Sequence, residues 1–245
     1  MDLNGRVALV TGAGRRVGRA IALELAAAGC DLVIHFNRSA DEAEQVAEAV
    51  RAMGRKAALV RGDLVDASVP ERLMSETVEQ LGSVDVLVNN ASIFEKMPLA
   101  DVDAGVWERY WRINTLAPAL LAQAAGMVML RQERGCIVNL IDIYAERPPR
   151  NLAPYLASKG ALATLTRALA IEFAPRVTVN GVAPGIAIFP EDTDAEERRR
   201  IIERVPLKRE GSPEQIARVV RFLAAEGDYI TGQILSVDGG RSIQP

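Results

Sequence analysis

Tyr155 and Lys159 stand four residues apart in the run Tyr155-Leu-Ala-Ser-Lys159, which leads into a helix-forming stretch ending at Ala174. On a helix that spacing puts both side chains on one face, one turn apart. An ammonium beside a phenol, whose ordinary pKa is about 10, makes the phenol a readier proton donor. The chemistry implied is general-acid catalysis; two ordinary surface residues are the alternative. A second feature is Thr11-Gly12-Ala-Gly14-Arg15-Arg16-Val17-Gly18, directly after the apolar run Val7-Ala-Leu-Val10. Glycines between a strand and a helix let backbone N–H groups and a helix N-terminus converge on one point. That point suits a pyrophosphate, although a plain tight loop has the same composition.

The elements that must position these residues alternate along the chain. Short apolar runs at 7–10, 31–37, 56–60, 84–88, 136–141, 177–180 and 234–237 read as strands buried on both faces. Helical stretches fall between them, at 19–28, 39–54, 70–81, 107–131 (with a bend expected at Pro118), 155–174 and 213–223. Ser39 and Glu42 have the spacing of a capping box at the second of these. This order predicts an α/β fold: one Rossmann-like, doubly wound parallel sheet of about seven strands with helices on both faces. No repeat or linker divides residues 1–245, so a single domain is expected.

Composition narrows the function classes. The chain has 245 residues, 49% hydrophobic, with a formal charge of −3 and no separable basic stripe, which argues against a nucleic-acid platform. The N-terminal apolar run is too short to span a bilayer and lacks signal-peptide flanks, so no membrane association is expected. Cys30 and Cys136 sit in apolar contexts and read as core thiols of a cytoplasmic protein. No metal site is expected.

The cofactor type follows from the end of the second strand, His35-Phe-Asn37-Arg38-Ser39. An acid there would accept from a ribose 2′-OH and select NAD; a cation accommodates a 2′-phosphate. Arg38 and Ser39 supply a planar fork and a hydroxyl, and Arg15 or Arg16 adds charge, which predicts NADPH/NADP+. His35, the sole histidine, is expected as a wall of this pocket without a general-base role.

Five motifs in register, Thr11-Gly12…Gly18, Asn89-Asn90-Ala91, Tyr155…Lys159, Pro184-Gly185 and Asp238-Gly-Gly240, resemble the short-chain dehydrogenase/reductase family over essentially the whole chain. The resemblance implies a nicotinamide-dependent oxidoreductase, usually a homotetramer. It places Gly12, Val17, Asn37, Leu64, Asn90, Ala91, Ser92, Pro184, Gly185 and Ile186 along the cofactor. Asp63 would hold the adenine edge, Lys159 the nicotinamide ribose, and Asn114 a proton-relay water. Asp63-Leu64 as a helix cap and Asn114 as a kink-former are the competing readings.

Three departures from the family pattern narrow the reaction. Thirteen residues before Tyr155 the family usually has serine; here stands Asp142. An ionised carboxylate would repel the charge building on a ketone oxygen, whereas it suits ring N–H donors or, with a raised pKa, shares a proton with Tyr155. A simply solvated Asp142 is the alternative. Arg16 stands where most of the family has glycine, and can reach both pyrophosphate and substrate. Ser92 replaces a common glycine, and Phe94 projects from the same loop as a stacking surface, or else belongs to the core.

Aspartate, arginine and phenylalanine together resemble the pteridine reductase branch, including dihydromonapterin reductase-like enzymes. That resemblance implies a pterin held between Phe94 and the nicotinamide, with Arg16, Ser92, Phe94, Asp142 and Tyr155 on the substrate, and with Asp142 and Tyr155 passing a proton to a ring nitrogen. Gly185-Ile-Ala-Ile188 lacks a serine common in that branch. Two other functions compete: a reductase of another carbonyl, such as a 3-oxoacyl carrier-protein thioester, and a dinucleotide sensor without turnover. Residues 189–211, charged and with Ile201, Ile202 and Val205 on one side, read as a substrate lid or a solvated surface helix.

Overall fold

The structure is a computed structural model that describes residues 1–145, 148–189 and 193–243. Seven strands form one parallel sheet: β1 (Val7–Val10), β2 (Asp31–Phe36), β3 (Ala57–Arg61), β4 (Val86–Asn89), β5 (Gly135–Leu140), β6 (Val177–Pro184) and β7 (Ile234–Val237). Their spatial order is β3-β2-β1-β4-β5-β6-β7, every pair parallel. The order reverses between β1 and β4, so the crevice at their carboxyl ends is where such sheets bind ligands.

Alternation along the strands divides the core. Ala8, Val10, Leu32, Ile34, Val86 and Val138 face α1 (Arg16–Ala27), α2 (Ala40–Ala52) and α8 (Pro213–Ala225). Leu9, Val33, Leu87, Ile137 and Val179 face α3 (Val69–Leu81), α5 (Ala117–Arg131) and the end of α6 (Ala153–Glu172). Both faces being covered explains why the strands read as unbroken apolar runs.

Four local expectations are corrected. Strand β6 continues to Pro184, beyond the polar Asn180 and Gly181 that looked like its end. Asn180 is consumed inside the fold, donating to the Ile230 carbonyl at 2.7 Å and accepting from Gln233 N–H at 3.0 Å. Helix α1 starts at Arg16, immediately after the glycine turn. The Ser39–Glu42 capping box does not form, because Ser39 Oγ packs against the turn, where a Cβ on Gly14 would lie 2.9 Å from it. Finally, the long helix begins at Ala104, where Asp103 accepts from Val106 N–H at 2.9 Å, as α4 (Ala104–Trp111).

A π-helical turn, Arg112–Leu116, joins α4 to α5 just before Pro118. Proline has no N–H for the carbonyl four residues back, that of Asn114, so the helix widens there instead of breaking. By length and composition residues 104–131 could cross a membrane, yet 56% of their apolar 18-residue portion is buried inside the fold. Ala117, Leu121, Ala125 and Met129 pack it against the sheet as a core helix.

Candidate active site

The glycine turn after β1 is held from three sides. Gly12 has a φ of 64°, a left-handed conformation that favours glycine, and its N–H donates to His35 Nδ1 at 3.2 Å. Asn90 Nδ2 donates to the carbonyls of Thr11 at 2.8 Å and Gly12 at 3.2 Å. Asn90 N–H and Ala91 N–H both donate to Thr11 Oγ1 at 3.0 Å. Gly18 must be glycine, since a Cβ there would sit 2.1 Å from the Gly12 carbonyl oxygen.

The N-terminus of α1 has no side-chain cap and no acid in its first turn. Its N–H groups and the positive end of the helix dipole are therefore free for an anion. A turn with no room for side chains, ending on an uncapped helix, fits a dinucleotide pyrophosphate. Around it, Arg38 is exposed and makes no ion pair among the described residues. Arg15 lies 3.8 Å from Glu42 on the surface. Arg16, at a φ of 51°, occupies a conformation uncommon for a non-glycine residue and reaches the Ile188 carbonyl at 3.5 Å.

His35 is a support beneath the turn, 2% exposed, and both ring nitrogens are used. Nδ1 accepts from Gly12, and Nε2–H donates to the Gly62 carbonyl at 3.1 Å. Burial pushes its pKa down to about 4, with Arg72 adding to the fall. Asp63 is exposed, one carboxylate oxygen accepting from Val65 N–H at 3.1 Å in a local turn, while Leu64 is buried in the core. Gly185 donates to the Val237 carbonyl at 3.0 Å, and a Cβ on it would come within 2.7 Å of Asp238 Cα. Pro184 ends β6, Ile186 follows, and Asn37 and Val17 are half-buried at the rim.

Tyr155 and Lys159 do lie on one face of α6, and the structure adds Asp142 to them. Tyr155 Oη donates to Asp142 Oδ2 at 2.7 Å, and Tyr144 N–H donates to Asp142 Oδ1 at 2.8 Å. The expected acidification of the phenol is not found. Burial first, then the Asp142 charge and its hydrogen bond, hold the Tyr155 pKa well above its ordinary value. Lys159 Nζ donates to the Leu140 carbonyl at 2.6 Å and lies 5.9 Å from the Tyr155 ring centre. Its own pKa is pushed down to about 8 by burial. The Asp142 carboxyl is raised, burial outweighing the hydrogen bonds from Tyr144 and Tyr155 and the charges of Lys159 and Arg241. Together, a phenol reluctant to ionise and a carboxyl inclined to protonate make a proton-sharing pair.

Asn114 is fully buried in the π turn, and its side chain is committed. Oδ1 accepts from Ile93 N–H at 3.1 Å and Ser92 Oγ at 3.2 Å. Nδ2 donates to Ser158 Oγ at 3.1 Å and to the Ile93 carbonyl at 3.3 Å. Ser158 in turn donates to the Tyr155 carbonyl at 2.6 Å, so the loop after β4 is tied to α6, which carries Tyr155 and Lys159. Phe94 projects from that loop, 47% exposed, its ring edge-on to Tyr155 at 4.9 Å between centres. Phe94 is thus a wall beside the Tyr155 phenol and not a core residue.

Helix α7 (Ala195–Glu203), capped by Asp194, covers the segment expected as a lid. Val205 and Phe189 are buried, and Arg198 lies over the Phe189 ring at 5.4 Å; residues 190–192 of the segment fall outside the described residues. A surface cavity of about 470 Å³ between Pro206–Gly211 and the end of β7 touches neither Asp142 nor Tyr155.

The sequence reading did not single out Tyr110, Ser158 or Arg241. Tyr110 Oη bonds the backbone of Glu95, and Arg241 lies over the Tyr144 ring at 5.1 Å. Only Ser158, next to Lys159, had a positional signal.

With this geometry in place, the comparisons with known proteins are specific. Residues 12–242 match the family model described as enoyl-(acyl carrier protein) reductase. The chain belongs to the short-chain dehydrogenase/reductase family. It is 36% identical over 241 residues to a 3-oxoacyl-[acyl-carrier-protein] reductase of Synechocystis sp., covering 97% of each chain. A crystal structure from Sinorhizobium meliloti 1021, provisionally named a short-chain alcohol dehydrogenase, superposes with a TM-score of 0.94 at 34% identity, over 100% of this chain and 99% of that one. A blue fluorescent protein from a metagenomic library, solved in complex with NADPH, gives 0.92 at 37% identity, over 98% and 99%. This family member is a nicotinamide-dependent oxidoreductase built on a seven-stranded Rossmann-like sheet.

Proposed function

We propose that the chain is an NADPH-dependent pteridine reductase, acting on a dihydropterin or an oxidised pterin ring, with dihydrofolate as a related substrate. The observation that carries the reading is the 2.7 Å hydrogen bond from Tyr155 to the buried Asp142. A ketone oxygen gathering negative charge wants hydrogen-bond donors, and a carboxylate beside it opposes the reaction. A flat heterocycle with N–H groups rewards a carboxylate, and its faces reward an aromatic wall such as Phe94.

In this reading the uncapped start of α1 and the Gly12 turn, pinned by Asn90, cradle the pyrophosphate. Arg38 and Ser39, with Arg15 and Arg16, take the 2′-phosphate, for which the exposed Arg38 makes no ion pair among the described residues. The NADPH complex of the metagenomic relative supports the same cofactor here. Asp63 and Leu64 flank the adenine, Ala91, Pro184, Gly185 and Ile186 the nicotinamide end, and Lys159 the ribose. The bound nicotinamide supplies the hydride. Asp142 and Tyr155 hold the proton that a ring nitrogen takes up, Phe94 and Ser92 form the wall opposite, and Arg16 borders the substrate. We also infer a cytoplasmic homotetramer, which size-exclusion chromatography with light scattering tests.

A second reading, reduction of a 3-oxoacyl thioester, is favoured by the name of the Synechocystis relative. It requires Asp142 to be protonated, the direction in which burial moves it, so that carboxyl and phenol both donate to the ketone. One panel separates the readings: enzyme, NADPH and, in turn, dihydrobiopterin, dihydromonapterin, dihydrofolate and an acetoacetyl thioester. Cofactor oxidation with the pterins supports the first, oxidation with the thioester alone replaces it, and none with any of them points to an NADPH-binding sensor.

A further inference from the structure

The loop that carries Phe94 lacks any strand partner, yet its backbone is satisfied on both sides of that residue. Ile93 has its N–H bonded to Asn114 Oδ1 and its carbonyl to Asn114 Nδ2, at 3.1 and 3.3 Å. Glu95 has its N–H bonded to Tyr110 Oη at 3.0 Å, and Tyr110 Oη donates back to its carbonyl at 3.3 Å. Tyr110 and Asn114 are four residues apart across the end of α4 and the π turn, so they address the loop from neighbouring positions on one helix. Each bonds both the N–H and the C=O of one residue, and the residue between the two clamps is Phe94.

We propose that Tyr110 is a positioning residue for substrate recognition, fixing Phe94 beside Tyr155 by holding the Glu95 backbone. This rests on the reading that Phe94 faces the substrate; the identity of that substrate does not enter. A phenol suits the task because one oxygen both donates and accepts while the ring stays apolar. The ring is 3% exposed and packs with Leu152, Tyr155 and Leu156. Its centre lies 6.4 Å from that of Tyr155, edge-on, and the Phe94 and Tyr155 centres are 4.9 Å apart. The clamp therefore sets the wall of the cleft against the catalytic phenol. Asn114 does the same for Ile93, but it also bonds Ser158 and Ser92, so removing it disturbs the catalytic helix as well. Tyr110 has no hydrogen bond to α6 and isolates the loop's contribution.

The test is steady-state kinetics of Tyr110→Phe beside Phe94→Ala, using whichever substrate of the panel above is turned over, with NADPH affinity measured by fluorescence titration. Tyr110→Phe keeps the buried ring and removes the clamp. The expected result is a KM for the organic substrate raised about 5- to 10-fold, with kcat within about twofold and NADPH affinity unchanged. A merely structural role would instead lower thermal stability and spread to the NADPH affinity. If Phe94→Ala raises KM and Tyr110→Phe does not, the clamp proposal is overturned. If Phe94→Ala leaves KM unchanged, the underlying placement of Phe94 fails instead. A measurement on the unaltered protein covers the case of a variant that does not fold. The Glu95 amide should be protected from hydrogen exchange, and exchange at the free-peptide rate would overturn the clamp.

Discussion

Acidification should loosen the cofactor turn through His35, and the size of the effect follows from its surroundings. In the folded chain the imidazole is neutral, because Nδ1 must accept from Gly12 N–H and Nε2–H donates to Gly62. Burial lowers its pKa from an ordinary 6.5 to about 4. Between those values the unfolded chain binds a proton that the folded chain refuses, so stability falls as pH falls from 6.5 to 4. At ~1.4 kcal/mol per pH unit, the interval corresponds to about 3 kcal/mol. The perturbation is His35→Gln, neutral at every pH and still able to donate towards Gly62. At pH 7 the variant should be less stable by ~1–2 kcal/mol, since the Gly12 N–H loses its acceptor. The assay is urea unfolding of both proteins at intervals from pH 7 to pH 4. Carboxylates titrate in both, so the informative quantity is the difference. The wild type should lose about 3 kcal/mol more than the variant over that interval, and the two curves should converge or cross. Parallel curves would refute the reasoning, because they would mean that the histidine titrates alike in the folded and unfolded chains.

Three further outcomes are expected. Lys159, with its pKa lowered to about 8, loses its charge as pH rises through that value. In a pH profile kcat/KM should fall above about pH 8, and Lys159→Arg, which keeps its charge, should lack that limb. Asn114→Ala leaves the part-buried Ile93 N–H without its acceptor and removes one donor to Ser158 Oγ, which keeps its bond to the Tyr155 carbonyl, and urea unfolding should register a loss of about 1–3 kcal/mol. Arg38→Ala should weaken NADPH at least ~10-fold while leaving NADH nearly unchanged, because only the former offers a dianion to the guanidinium.

Much of the scaffold was legible because its signals are local. Four consecutive apolar residues at Val7–Val10 can only be buried on both faces, and seven such runs between helices leave a parallel sheet as the economical arrangement. The Gly12–Gly18 turn and the Tyr155–Lys159 face are likewise set by spacing along the chain. What the sequence could not show depends on distances between elements. Nothing local reveals that Ser39 turns towards Gly14, whose missing side chain makes the space, instead of capping its own helix. The partnership of Asp142 with Tyr155 was legible from the aspartate thirteen residues upstream, but nothing local shows that Lys159, expected to acidify the phenol, turns to the Leu140 carbonyl. His35 looked like a pocket wall from its place at a strand end; only the folded chain shows both nitrogens spent beneath the turn. Tyr110 carried no signal, as its partner is the backbone of a loop whose path no pattern predicts.

The central claim is that the Asp142–Tyr155 pair selects a ring-nitrogen heterocycle over a ketone. The most direct test is NADPH oxidation by wild type and Asp142→Ser, each offered dihydrobiopterin and an acetoacetyl thioester. The wild type should turn over the pterin and not the thioester. Asp142→Ser should lose pterin turnover by about 100-fold or more, the scale of a removed acid–base partner, while still binding NADPH. Thioester reduction by the wild type with no pterin activity, or undiminished pterin turnover in Asp142→Ser, would contradict the claim.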